Sequence, residues 1–101
     1  MKHPRYRISE AAISDLELIW KYTLHKWSLD QADRYYELII NEIDFLSSNL
    51  FAGKSVDYIR KGYRSAVVKS HLIFYKIGDD KIMEIIRILH HSMDIDEDLL
   101  K

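Results

Sequence analysis

The hydrophobic pattern of the chain changes period twice. Pro4 to Ile8 alternates and carries β-compatible residues, which predicts a short first strand ending at Ser9. Ser9 suits a helix N-cap, and Glu10 follows in the first turn, where the helix dipole favours an acid. From there Ala12, Leu16, Ile19 and Thr23 recur at three- and four-residue steps, with Trp20, Leu24 and Trp27 on an adjoining stripe. Ser28-Leu29-Asp30-Gln31 is a capping box opening a second helix, with Ala32, Tyr36, Ile39, Ile43 and Leu46 as its apolar seam. So little chain separates the helices that they must form an antiparallel hairpin. Ser47, Ser48 and Asn49 end it, and Gly53 punctuates the loop.

After Gly53 the period becomes two. Val56 to Arg60 is a candidate edge strand, Lys61-Gly62 a turn and Tyr63 to Lys69 a strand. His71 to Ile77 is another, joined to the run Lys81 to His90 by Gly78-Asp79-Asp80, residue types that tolerate the positive φ of tight turns. Ile82, Ile86 and Ile88 predict one face of the last strand, and Met83, Ile85, Arg87 and Leu89 the other, so it is apolar on both sides and central. The expected architecture is α+β, in the order β-α-α-β-β-β. An N-terminal helical hairpin packs on one face of an antiparallel sheet whose other face is partly open.

Composition narrows the possible functions. The 101 residues, 48% of them hydrophobic and 31% charged, fit one compact domain over 1–101 with no deep enclosed cavity, so function belongs on a surface or in a shallow groove. There is no cysteine, which excludes disulfides and thiolate metal sites and suits the cytoplasm. No secretory signal is expected at the basic N-terminus, and the apolar run Ile85 to Leu89, broken by Arg87, is too short to span a bilayer. The net charge of −1 hides a segregation. Residues 9–47 carry a net −5, whereas 54–76 carry Lys54, Arg60, Lys61, Arg64, Lys69 and Lys76 against Asp57 alone. This charge pattern suits either an acidic partner or phosphate backbone, or internal complementation of helices by sheet.

Several local patterns then occur in order. The first helix carries Ala12-x-x-Asp15-Leu16-x-x-Ile19-x-x-Tyr22-Thr23, and the second opens with Gln31-Ala32 followed by Tyr35. The sheet half carries Ile59-Arg60-Lys61-Gly62-Tyr63-Arg64, Ser70-His71-Leu72-Ile73-Phe74-Tyr75 and Ile86-Arg87-Ile88-Leu89-His90, leading into Met93-Asp94. Over nearly its whole length the sequence resembles the ParE family of the ParE/RelE toxin–antitoxin superfamily. It departs where Leu50, not the frequent proline, follows Asn49. The resemblance implies a RelE/ParE-like fold and a toxin that poisons DNA gyrase. It also implies neutralisation by a ParD-like antitoxin whose C-terminal segment wraps the toxin. Neither a cofactor, a metal, a small-molecule substrate nor direct contact with operator DNA is implied.

Trp27, Tyr35, His71, His90 and Met93 are candidate antitoxin- or target-binding residues, as are Arg60, Tyr63, Arg64 and Arg87. Trp and Tyr are typical interface anchors, and the basic turn around Gly62 suits steering of an acidic segment. Arg87, a cation within an apolar strand, must either pair with a carboxylate or reach a partner. His90 and His91 are strand neighbours pointing to opposite faces, which disfavours a shared metal. The rival reading is a RelE-like ribosome-dependent endoribonuclease. Cutting RNA at its 2′-hydroxyl needs cations on the developing phosphorane. The strand position where RelE-like proteins often place an arginine is Leu72 here, so no catalytic residue is expected. A guanidinium such as that of Arg64 or Arg87 meeting a histidine in one pocket would reverse that expectation.

Overall fold

The computed structural model describes residues 6–100. The predicted strand start at Pro4, and Lys2 and Arg5 of the basic N-terminus, lie outside them. The elements are β1 (Tyr6–Ile8), α1 (Glu10–Lys26), α2 (Leu29–Ser48), β2 (Lys54–Ser55), β3 (Tyr63–Val68), β4 (His71–Ile77), β5 (Met83–His90) and α3 (Ile95–Leu100). The strands form one sheet in the order β1-β5-β4-β3-β2. Pairing is antiparallel except for β1, which runs parallel to β5, so the sheet is mixed where an antiparallel one was expected.

Both predicted helix starts are capped. The Ser9 hydroxyl accepts from the Ala12 amide at 3.0 Å, and that of Ser28 from the Gln31 amide at 3.1 Å. Each satisfies an amide that the first helical turn leaves without a partner. Helices α1 and α2 bury Ala12, Leu16, Ile39, Ile43 and Leu46 against Val68, Ile73, Tyr75, Met83, Ile85 and Ile88 of the sheet. On α2 the partly buried aromatic is Tyr35; Tyr36, expected in the seam, is exposed. Beneath the helices, the Tyr75 hydroxyl donates to the Leu50 carbonyl at 3.0 Å and accepts from the Gly53 amide at 2.9 Å. A side chain at position 53 would collide with this ring and with the Ser65 carbonyl, which is why the loop has glycine there.

Four details differ from expectation. Val56 to Arg60 is a turn, with the Ile59 and Arg60 amides both donating to the Val56 carbonyl; the edge strand is Lys54–Ser55 instead. In the β4–β5 connection the positive φ falls on Lys81, at 65°, and not on Gly78 or an aspartate. That is the left-handed residue closing a three-residue hairpin loop. The faces of β5 change at a bulge: Tyr75 pairs with Ile85 but Phe74 with Arg87, leaving Ile86 as the extra residue. Met83, Ile85 and Ile88 therefore share the helix-covered face. Finally, the acidic tail forms α3, which buries Leu99 with Val56, Tyr63, Phe74 and Leu89 in a second core on the other sheet face. The face expected to be partly open is thus covered at this end by a C-terminal helix.

Candidate functional site

Where β1 stops, the outer edge of β5 is taken over by the start of α1. The Ser9 amide donates to the Ile85 carbonyl at 3.0 Å and its hydroxyl to the Ile86 carbonyl at 2.8 Å. Further along α1, the buried Asp15 carboxylate accepts from the Ile88 amide at 2.9 Å and from Arg87 Nε and Nη2 at 2.8 and 2.9 Å. Arg87 Nη1 also donates to the Asp98 carbonyl of α3 at 3.3 Å. The carboxylate holds the guanidinium pKa above its ordinary value. Of the two roles open to Arg87, the geometry is the internal ion pair, which joins α1, β5 and α3.

Arg64 is committed as well. Its Nε and Nη2 donate to the Gly53 carbonyl at 3.0 and 2.6 Å, and its guanidinium lies over the Phe51 ring. Tyr63 is buried in the second core, with Arg60 stacked on it at 5.5 Å. These three line the far end of the sheet. The structure does not bring them to the other candidates.

Trp27, Tyr35, His71, His90 and Met93 do converge. They border two adjoining cavities of about 410 and 570 Å³ between the helical hairpin, the β3–β4 turn and the end of β5, and Tyr22, His71 and His90 line both. The rim exposes Leu18, Tyr22, Trp27, Leu38 and Met93, a concentration of large apolar side chains that a solvated surface would not favour. Lys26, Arg34 and Lys69 add positive charge to the second cavity. Leu18 and Arg34 were not candidates from the sequence. Leu18 had a signal, since it and Tyr22 form an i, i+4 pair off the buried stripe of α1.

The groove floor is a hydrogen-bonded histidine network. Tyr35 OH lies 3.2 Å from the Val68 carbonyl, 3.3 Å from the Ser70 amide and 2.7 Å from His71 Nδ1. The carbonyl can only accept and the amide can only donate. The Ser70 amide therefore donates to the phenol, and the single phenolic proton goes to the Val68 carbonyl or to His71 Nδ1 according to the tautomer of His71. His71 packs edge-on to His90 at 5.1 Å, and His90 in turn lies 4.4 Å from His91. Burial first, then the neighbouring His90 and His91, push the His71 pKa down to about 4. Among the described residues no group of three or more His, Asp or Glu side chains could hold a metal ion, and no helix is long and apolar enough to cross a membrane.

The low pKa makes a stability prediction. Unfolded His71 titrates near 6.5 and folded His71 near 4, so below pH 6.5 the unfolded chain binds more protons and stability falls until about pH 4. Between pH 7 and 4.5 the loss from this ring is about 2 kcal/mol, after allowance for its partial exposure. Urea unfolding at both pH values should show that His71→Asn, which keeps a donor towards Tyr35, loses less stability on acidification than wild type. Equal losses would mean that His71 does not couple folding to pH.

Comparison with known proteins places this arrangement. Residues 6–95 match the family model described as ParE toxin of the type II toxin–antitoxin system, parDE. Proteins named Toxin ParE1 from two strains of Mycobacterium tuberculosis are each 38% identical over 95 residues, covering 94% of this chain and 97% of the relative. Toxin ParE1 of Caulobacter vibrioides is 36% identical over 89 residues, covering 88% and 91%. A solved structure of the chromosomal ParDE system from P. aeruginosa shares the fold, with a TM-score of 0.73 at 19% identity over 84% of this chain and 92% of that one. The conserved length, order of elements and identity leave one conclusion: the chain belongs to the ParE toxin family of type II toxin–antitoxin systems.

Proposed function

We propose that the chain, acting as a single domain in the cytoplasm, inhibits growth by binding and poisoning DNA gyrase without chemistry of its own. A ParD-like antitoxin neutralises it by laying an acidic, apolar-faced segment along the groove between the helical hairpin and the end of β5. The single observation carrying this reading is the exposed set Leu18, Tyr22, Trp27, Leu38 and Met93, rimmed by Lys26, Arg34 and Lys69. Apolar anchors supply affinity to a protein partner, while rim cations speed encounter with an acidic one. Membership of the ParE family supports the gyrase target. A supercoiling assay with the purified chain is the test: supercoiling should fall with added toxin and recover with the antitoxin encoded beside it. Unchanged supercoiling at excess toxin would sink the reading.

One observation favours a second reading, cleavage of translated RNA. Arg64 and Arg87 do not meet a histidine, but Arg34 borders the same cavity as His71 and His90. Mapping of transcript ends after expression separates the two, because gyrase poisoning leaves messages uncut.

A further inference from the structure

Three cations of the groove gather around one cavity that has no acid in its lining. Elsewhere Arg7 pairs with Asp80 and Glu84, Lys76 with Glu84, and Arg87 with Asp15. Among the described residues Lys26, Arg34 and Lys69 have no carboxylate within ion-pair distance, and no acid lines their cavity. Unpaired like charges on one groove repel each other unless an anion joins them. Lys69 is moreover held in a strained conformation. It is the first residue of the two-residue turn between Val68 and His71, at φ 54°, where glycine or asparagine is normally preferred.

The histidines add direction. His71 meets the Tyr35 hydroxyl through Nδ1, which leaves Nε2 as its second ring nitrogen. His90 is engaged through the same atom. Its Nδ1 accepts from the Ser92 amide at 3.1 Å and faces the Ser92 hydroxyl at 2.7 Å, so its neutral ring carries the proton on Nε2. Both rings line the groove, and among the described residues neither Nε2 has a hydrogen-bond partner. The site thus offers two imidazoles packed edge-on, the exposed Trp27 ring, and Tyr22 with the Lys26 ammonium over its face.

The geometry points to a nucleotide-binding site: phosphate against Lys69, Arg34 and Lys26, the base against Tyr22 or Trp27, and the base edge read by the His71–His90 pair. Aromatic faces, cations and paired imidazoles in one cavity suit a nucleotide, whose base and phosphate use both kinds of group. At about 570 Å³ the cavity is of the size that small ligands occupy. The inference rests on this groove and not on gyrase being the target.

The purified full chain should be titrated with AMP, with a short oligouridylate, with inorganic phosphate and with polyglutamate, following amide shifts of the groove residues. Saturable shifts with AMP would assign the site to free nucleotides, and shifts with the oligomer alone would assign it to a nucleotide within a strand. Lys69→Gly removes the cation and relieves the positive φ, so its unfolding midpoint should equal or exceed that of wild type while affinity falls about tenfold. For the oligomer the salt dependence should also flatten, by about 0.7 in log–log slope for the lost phosphate contact. Arg34→Gln should behave likewise. Polyglutamate or phosphate binding as tightly as nucleotide, no binding at millimolar concentration, or nucleotide affinity unaltered in both variants would overturn the proposal.

Discussion

Asp15→Ala is expected to destabilise the fold by about 3 kcal/mol, the largest effect of any single substitution considered. The change removes the acceptor of three hydrogen bonds at once. It leaves Arg87, whose side chain is 25% exposed, with only the Asp98 carbonyl, and it orphans the Ile88 amide inside the core. Breaking a buried pair costs about 3 to 5 kcal/mol and an unsatisfied buried amide about 1 to 3. The partial exposure of Arg87 places the sum near the lower end. In a domain this small the melting temperature should fall on the order of 15 °C. Asp15→Asn separates the contributions: its amide oxygen can still accept from Ile88, whereas the charge and the second acceptor for Arg87 are lost, so its loss should be smaller than that of alanine. Arg87→Ala, which removes the other member of the pair, should lose stability too. An Asp15→Ala protein that melts with wild type would show that α1 is held to β5 by apolar packing alone.

This pair also shows where the sequence was readable and where it was not. Ser9, Ser28 and Gln31 declare their helices through local capping chemistry, which needs no knowledge of the rest of the chain. The β4–β5 hairpin was equally local. Arg87 was ambiguous because its environment depends on Asp15, far away in sequence, and on a bulge that resets the faces of β5 at Ile86. Val56 to Arg60 alternates like a strand, but Asp57 accepts from the Gly62 amide at 2.8 Å and folds the segment back on itself. Helix α3 had only Ile95 and Leu99 at helical spacing, too little to decide whether the acidic tail is ordered. The charge segregation resolves unevenly as well. Arg64 serves the fold, whereas Arg34, lying in the acidic half of the sequence, joins Lys69 of the basic half across the groove. Sequence segments do not predict such a meeting.

The other large effect concerns the groove. Leu18→Glu combined with Met93→Glu should weaken binding of the cognate antitoxin at least thirtyfold, about 2 kcal/mol. Both side chains are exposed in the free chain, at 65% and 49%, so the fold should tolerate the change and the unfolding midpoint should hold. In the complex each carboxylate would have to be desolvated against an apolar surface, and an acidic segment would be repelled as well. The two mechanisms act on different rates. Lost burial raises the dissociation rate, whereas altered rim charge chiefly slows association and does so less at high salt. Surface plasmon resonance at two ionic strengths therefore reads both. Tyr58→Ala is the matched control, because Tyr58 is 78% exposed and sits near Arg60 on the basic turn at the far end of the sheet. Should Tyr58→Ala abolish binding while the double glutamate variant binds normally, the antitoxin docks on that turn. The apolar rim of the groove would then need a different occupant.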